Sequence, residues 1–92
     1  MYKQSVTICN KLGMHARAAA KFVQLASRYE SEIKITRESK EVNGKSIMGV
    51  MMLAAEQGSS LLIRAEGADA EEALEALCAL VAAGFYEMDL TE

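Results

Sequence analysis

Residues 11–23, KLGMHARAAAKFV, decide the fold, because the hydrophobic periodicity changes within this stretch. In residues 2–9, apolar and polar side chains alternate, which predicts a half-buried β-strand. Gly13 interrupts that alternation. From Ala16 onward apolar residues recur at helical intervals, which predicts an amphipathic helix. The stretch is therefore predicted to be strand, glycine-containing loop and helix, with His15 directly before the helix.

The predicted first helix has an apolar face and a basic face. Its apolar positions are Ala19, Phe22, Val23, Ala26 and Tyr29. The opposite face carries Arg17, Lys21, Gln24 and Arg28. A basic stripe of this kind is suited to docking an acidic partner, so we predict that Lys21, Gln24 and Arg28 contact partners.

A hairpin and a short helix follow the first helix. Residues 32–37 and 40–43 alternate on either side of a turn, which predicts two paired strands. Ser46 stands before the apolar run IMGVMMLAA, residues 47–55, and is predicted to be the N-cap of a second helix that Gly58 closes.

The last elements are predicted from residues 61–84. Leu61, Ile63 and Ala65 occupy alternate positions, which predicts a fourth strand. Asp69 followed by Glu72 resembles a capping box and predicts the start of a last helix that ends near residue 84. The buried stripe of that helix is Ala73, Leu74, Leu77 and Val81.

These elements give the order β-α-β-β-α-β-α in a single domain over residues 1–92. The predicted fold class is α+β, an open-faced β-sandwich: a four-stranded antiparallel sheet with three helices on one face. The polar alternate positions of each strand require the other face to contact water. The short acidic stretch after Phe85 is expected to fray.

Composition and charge exclude several classes of function. One His and two distant Cys, residues 9 and 78, match neither a zinc site nor a catalytic triad, so no metal is expected. Residues 1–64 hold ten basic and five acidic residues, a net charge of +5, and residues 65–92 hold eight acidic residues and no basic one. The net charge of −3 thus conceals a basic part that could meet an acidic protein or a phosphate, whereas nucleic acid is disfavoured because the pI is about 5.2.

No signal peptide or membrane span is predicted, since the N-terminal residues contain neither a long apolar run nor a cleavage pattern. The expected location is the cytoplasm, without membrane contact. There Cys9 and Cys78 would be reduced thiols and are interpreted as small apolar fillers, Cys9 at the end of the first strand.

His15 is the candidate chemical centre. The first turn of a helix offers backbone N–H groups, here of Ala16 and Arg17, that together with the helix dipole favour an anion such as phosphate. The same field favours a neutral imidazole with a nucleophilic lone pair. The Arg17 guanidinium can donate to phosphate oxygens, and the small side chains of Ala18, Ala19 and Ala20 are expected to leave the approach uncrowded. A lone His at a helix start can also be merely a cap or a surface residue.

KLGMHARAAAKFV resembles the phosphorylation-site signature of the HPr family, the small phosphocarriers of the bacterial phosphoenolpyruvate-dependent phosphotransferase system. KSIMGVM, residues 45–51, resembles the regulatory serine segment of the same family, and the likeness extends over essentially the whole chain. The resemblance implies that His15 accepts a phosphoryl group on Nδ1 from phosphorylated enzyme I and passes it to an enzyme IIA protein. It implies a monomeric carrier without a cofactor, rather than an enzyme with its own turnover.

The chain departs from many members of that family at Ala18, where they carry Pro. Pro fits the first turn of a helix, so its replacement should loosen the helix start slightly without removing the site. The alanine-rich version is more similar to proteobacterial members, including the nitrogen-related branch. The sequence leaves open whether the chain serves sugar uptake or regulation.

Ser46 is the second candidate site. In the resembling family, a kinase/phosphorylase phosphorylates this serine in some bacteria. We predict that Ile47, Met48 and Met51 form an exposed apolar patch that, with the basic stripe of the first helix, makes one docking face. Alternatively, the methionines only fill the core.

Two further functional hypotheses remain. One is an interaction module that Ser46 phosphorylation controls and in which His15 is idle. The other, a small-molecule-binding domain, is disfavoured because the sequence has no Gly-rich loop.

Overall fold

The computed structural model describes residues 2–86. Its elements are β1 (Tyr2–Thr7), α1 (Ala16–Ala26), β2 (Glu32–Arg37), β3 (Lys40–Asn43), α2 (Ile47–Met52), β4 (Ser60–Glu66) and α3 (Ala70–Ala82), followed by a 3₁₀ turn (Gly84–Tyr86). The predicted element order and α+β class are confirmed. Residues 1 and 87–92 of the predicted domain lie outside the described residues, as does nearly all of the acidic stretch expected to fray.

The four strands form one antiparallel sheet in the order β1-β4-β2-β3. The central pair, β4 and β2, aligns Ile63 with Ile35 and Ala65 with Ile33. These four side chains are fully buried, because alternation along each strand turns them toward the helices. Their neighbours Lys34 and Arg64 also pair across the strands but lie on the open face. The sheet therefore has one face in the core and one in solvent, as predicted.

The core lies between the sheet and the helices. Its largest fully buried side chains include Phe22 of α1, Val50 of α2, Leu77 of α3 and Phe85 after α3. Helix α1 contacts both α2 and α3. This arrangement places the N-termini of α1 and α2 on elements that pack against each other.

Two predicted boundaries are wrong. Strand β1 ends at Thr7, so Cys9 lies beyond it, and the Cys9 thiol lies 3.5 Å from the carbonyl oxygens of Val81 and Ala82. Helix α2 ends at Met52 rather than at residue 55, because Ala54 adopts a left-handed backbone conformation with φ of 51° that a helix cannot continue through.

Candidate functional site

The loop before His15 is held by a buried asparagine. The side chain of Asn10 is 1 % exposed, and its Nδ2 donates to the carbonyl oxygen of Gly13 at 2.8 Å. The backbone N–H of Gly13 donates in turn to the carbonyl oxygen of Asn10 at 3.2 Å. Gly13 has φ of 68°, a conformation that glycine adopts without a steric penalty. The turn before His15 is therefore held by two hydrogen bonds between Asn10 and Gly13.

The same loop packs against the segment after α2. The N–H of Met14 donates to the carbonyl oxygen of Ala55 at 2.8 Å, and the Met14 side chain is buried. A Cβ atom at Gly13 would collide with that carbonyl oxygen. Glycine at this position thus permits the close approach of two backbone segments. The backbone position of His15 is set by this long-range contact as well as by the local sequence.

His15 is the N-cap of α1. Its backbone is extended, with φ of −80° and ψ of −178°, and its carbonyl oxygen accepts the N–H of Ala19 at 2.8 Å. Its imidazole Nδ1 accepts the backbone N–H of Arg17 at 3.3 Å. An imidazole nitrogen that accepts a hydrogen bond must carry a lone pair, so the proton of the neutral ring is on Nε2. The geometry therefore assigns Nδ1 as the nitrogen with nucleophilic capacity.

The surroundings of Nδ1 suit an anion. Ala16 and Arg17 are exposed, and the imidazole of His15 is half-buried, so an incoming group can reach the first turn of α1. The N–H that now contacts Nδ1 belongs to the positive end of the helix dipole. No acidic residue lies in the first turn. An anion at this position would thus meet a backbone donor and no nearby acidic side chain in the first turn.

That three small alanines leave the approach to His15 uncrowded stays a prediction, and the three differ in their burial. Ala18 and Ala19 are fully buried, and Ala20 is half-buried. The 3.6-residue repeat turns positions 18 and 19 toward the sheet, where a small side chain lets α1 pack closely. These alanines are core residues and leave Ala16 and Arg17 as the exposed part of the first turn.

Ser46 begins α2 as predicted. Its Oγ accepts the N–H of Gly49 at 3.1 Å, and its carbonyl oxygen accepts the N–H of Val50 at 2.9 Å. The side chain of Ser46 is half-buried. The hydroxyl therefore has an established structural role whether or not it is modified.

The apolar residues of α2 divide between core and surface. Val50 is buried, whereas Ile47, Met48 and Met51 are 43 %, 73 % and 40 % exposed. The interpretation that the methionines fill the core is wrong for this helix. Sequence reasoning missed two exposed apolar residues, Met52 on α2 and Leu12 in the loop before His15. Leu12 could have been found, because it lies in a loop outside either hydrophobic period.

The basic residues of the predicted docking face lie on α1 beside α3. Lys21, Gln24 and Arg28 line a groove toward α3, together with Leu25, Ala76, Leu80 and Tyr86. The ammonium of Lys21 donates to the carbonyl oxygen of Phe85 at 2.6 Å and so ties α1 to the turn after α3. Helix α1 also packs against α2, which carries the exposed apolar residues. Whether each part contacts partners stays a prediction.

Asp69 does not form the predicted capping box. It stands at the N-cap position of α3 but makes no side-chain cap hydrogen bond. Its carboxylate instead accepts the backbone N–H groups of Glu30 and Ser31, at 2.9 and 3.0 Å, and the hydroxyl of Ser31. These hydrogen bonds, that of the Ser31 hydroxyl first, hold the pKa of Asp69 below its ordinary value of 3.8. The residue ties the start of β2 to α3.

Within residues 2–86, no group of three or more His, Cys, Asp or Glu side chains is arranged to hold a metal ion. No helix in the same range is long and apolar enough to cross a bilayer.

Cys78 is buried, and burial raises the pKa of its thiol. Cys9 is half-buried.

The chain is similar to known proteins over nearly its whole length. The family model described as "PTS HPr component phosphorylation site" matches residues 2–83. The chain is 52 % identical over 87 residues to the phosphocarrier protein HPr of Neisseria meningitidis, and the match covers 95 % of this chain and 98 % of that protein. It is 46 % identical over 85 residues to the phosphocarrier protein NPr of Shewanella violacea, covering 92 % and 93 %.

The fold is similarly matched by solved structures. The crystal structure of HPr-C-His from Thermoanaerobacter tengcongensis has a TM-score of 0.91 and 47 % sequence identity, and the match covers 95 % of this chain and 98 % of that one. Each of these matches covers nearly the full chain. His15 and Ser46 therefore lie within all of the matched regions.

Proposed function

The chain belongs to the HPr family, whose relatives are phosphocarrier proteins, and on that premise we propose that it carries a phosphoryl group on Nδ1 of His15. The donor is phosphorylated enzyme I and the acceptor is a histidine of an enzyme IIA protein. The observation that carries the proposal is the hydrogen bond that Nδ1 accepts from the N–H of Arg17, which leaves a lone pair at the positive end of α1.

The transfer step needs only groups that the two proteins supply. The Nδ1 lone pair attacks the phosphorus, the new N–P bond forms, and the bond from phosphorus to the donor nitrogen breaks and returns its electron pair to the donor. The Nε2 proton stays on the ring, which keeps the phosphorylated imidazole a good leaving group for onward transfer. As Nδ1 bonds to phosphorus, the N–H of Arg17 exchanges that nitrogen for a phosphoryl oxygen.

The site binds the phosphoryl group through contacts that can be released when the group is passed on. Backbone N–H donors at the start of α1 are fixed by the helix and need no rearrangement when charge arrives. The guanidinium of Arg17 is exposed and can donate to a phosphoryl oxygen or withdraw as the partner docks. No cofactor or metal enters the step, and the protein is consumed and regenerated as a carrier rather than acting as a turnover catalyst.

Docking and regulation extend the proposal. The exposed side chains of Ile47, Met48 and Met51 provide an adaptable apolar surface for enzyme I and enzyme IIA proteins. Lys21, Gln24 and Arg28 provide a second, polar contact region on the α3 side. A kinase/phosphorylase that modifies Ser46 would add about two negative charges beside the apolar surface and oppose docking of an acidic partner. We propose that the carrier works as a monomer in the cytoplasm.

The test is phosphorylation from phosphoenolpyruvate by purified enzyme I. We expect one acid-labile phosphate per chain in the wild-type protein and none in His15→Ala, because that variant lacks the only imidazole. Ser46→Ala serves as the matched control and should incorporate the label. Intact-mass measurement before and after acid treatment distinguishes phosphohistidine from phosphoserine.

Acid-labile label in His15→Ala would contradict the proposal. Acid-stable phosphate on Ser46 in the cell, with no labile phosphate formed by enzyme I, would favour the interaction module in which His15 is idle. The relatives carry both the HPr and the NPr names, so the enzyme IIA acceptor is to be determined by the transfer assay itself.

A further inference from the structure

Arg37 lies at the end of β2, beside the C-terminal end of α2. Its Nη1 donates to the carbonyl oxygen of Leu53 at 2.9 Å and to that of Ala54 at 3.3 Å. The last carbonyl groups of a helix lack intrahelical partners and form the negative end of the helix dipole. A guanidinium at this position therefore satisfies acceptors that the helix leaves open and neutralises their partial charge.

The hairpin supplies a second cation to the same end. Nζ of Lys40 donates to the carbonyl oxygen of Met52 at 3.3 Å. The carbonyl groups of residues 52–54, at and just beyond the end of α2, thus accept from one side chain of β2 and one of β3. Lys40 is exposed and Arg37 is half-buried, so the arginine contacts are the better shielded from water.

The segment that Arg37 holds is the one on which the His15 loop rests. Ala54 has φ of 51°, a left-handed conformation that is unfavourable for an L-residue and has to be held by its neighbours. The next carbonyl group, of Ala55, accepts the N–H of Met14 at 2.8 Å. Met14 directly precedes His15 in the chain. Only one peptide unit and one hydrogen bond separate the carbonyl group that Arg37 contacts from the residue before His15.

We propose that Arg37 is a positioning residue for phosphoryl transfer, which acts by holding residues 53–55 so that the loop before His15 keeps the imidazole at the start of α1. This inference rests on the proposed function. Arg37 does not touch the transferred group. Transfer between two histidines needs near-attack alignment, and small displacements of a reacting nitrogen cost rate steeply.

The test compares Arg37→Met with Arg64→Met. The first variant keeps an apolar stem and removes the donors to the α2 carbonyl groups. The control removes an arginine of the same sheet whose Nη1 pairs with Glu41 at 2.9 Å on the open face. We expect Arg37→Met to lower the maximal rate of His15 phosphorylation by enzyme I about tenfold with KM changed less than twofold. Arg64→Met should stay within twofold in both constants.

Amide hydrogen exchange gives a readout that does not depend on enzyme I. We expect the Met14 amide of Arg37→Met to exchange about tenfold faster, beyond any change shared by the amides of the central strands β2 and β4. Arg37→Lys, which restores one cation without the planar fork, should recover part of both effects.

An unchanged Met14 exchange rate in Arg37→Met would overturn the inference, as would a rate of phosphorylation equal to that of the wild type. If Met14 and the strand amides accelerate equally, Arg37 only stabilises the fold and the positioning role is wrong. If the wild-type protein itself is not phosphorylated on His15, the proposed function fails, and the role of Arg37 in transfer is rejected too. Faster Met14 exchange in Arg37→Met would then show only that Arg37 holds the loop before His15.

Discussion

The first two helices of this protein both begin with a side chain that caps the helix, and the two caps differ in chemistry. At α1 the imidazole Nδ1 of His15 accepts the N–H of Arg17 at 3.3 Å, and at α2 the hydroxyl of Ser46 accepts the N–H of Gly49 at 3.1 Å. Serine is a preferred N-cap, whereas histidine is not. Helix α1 therefore begins with a less favoured cap than α2, which agrees with the role proposed for the His15 lone pair.

The two caps would also receive a phosphate in different ways. Nδ1 carries a lone pair without losing a proton, and this pair can attack phosphorus once it leaves the N–H of Arg17. The Ser46 hydroxyl must lose a proton to become a nucleophile, and a general base has to come from a kinase. A phosphoryl group on His15 is therefore suited to onward transfer, and one on Ser46 to a lasting change of charge.

The largest effect on this comparison is expected at Arg17. Arg17→Ala keeps the backbone N–H that contacts Nδ1 and removes the guanidinium, so we expect phosphoryl transfer to slow by about 10²-fold, the size measured when one donor to a developing negative charge is removed. Rapid-quench kinetics with enzyme I measures the rate. Arg17→Lys should recover part of it, because the ammonium restores the charge without the fork.

Lys3→Ala is the control for general loss of positive charge, since Lys3 is an exposed residue of β1 on the sheet. A rate for Arg17→Ala equal to that of this control would show that the backbone N–H groups of α1 suffice and that the guanidinium has no part in the transfer.

A smaller effect, on stability, is expected at Ser46. Ser46→Ala leaves the N–H of Gly49 without its side-chain acceptor and should lower the free energy of unfolding by about 1 kcal/mol. Ser46→Asp keeps a good cap and should retain that stability. Urea unfolding measures both variants.

Ser46→Asp also adds one negative charge beside the exposed residues of α2. We expect it to slow transfer from enzyme I several-fold at low salt, with the effect shrinking at high salt because exposed charges are screened. An equally slow transfer in Ser46→Ala would mean that loss of the hydroxyl, and not the added charge, is responsible.

The smallest effect is expected at α3, whose N-cap position holds Asp69. Because the folded state lowers the pKa of Asp69, the carboxylate stabilises the fold above its unfolded pKa, and this contribution is lost as the pH falls through the lower, folded pKa. The difference in Tm between the wild type and Asp69→Asn should therefore be constant above about pH 5 and shrink below about pH 4. Thermal unfolding across this pH range measures it.

Glu72→Gln is the control, since Glu72 is an exposed acidic residue in the first turn of α3. The hydrogen bonds from the start of β2 go to Asp69 instead. If the difference between wild type and Asp69→Asn is independent of pH, the ionised carboxylate is not the stabilising form and the account of Asp69 is wrong.

Most of the fold could be predicted because the periodicities are strong. The alternation through Ile33 and Ile35 and the helical spacing of Phe22 and Val23 each match an element of the structure. Short-range chemistry was equally informative at Ser46, where a hydroxyl before an apolar run predicted an observed cap. These features depend on residues a few positions apart.

The predictions that were wrong concern contacts between distant segments. Asp69 has the local spacing of a capping box, but its carboxylate accepts the distant N–H groups of Glu30 and Ser31 instead of an N–H group of α3. Cys9 continues the alternation of β1, but the strand ends at Thr7 and the Cys9 thiol lies 3.5 Å from the carbonyl oxygens of Val81 and Ala82. A sequence pattern cannot rank a local partner against one brought near by folding.

The sequence by itself determined the element order, the placement of a single imidazole at the start of a helix and the serine that begins the next one, because periodicity and capping act over a few residues. Only the tertiary structure decided that the loop before His15 rests on the carbonyl oxygen of Ala55. The same holds for the two carbonyl groups that Arg37 contacts. Hydrogen bonds between segments some forty residues apart, or between a sheet and a helix end, exist only after the chain has packed, since their donors and acceptors are otherwise bonded to water.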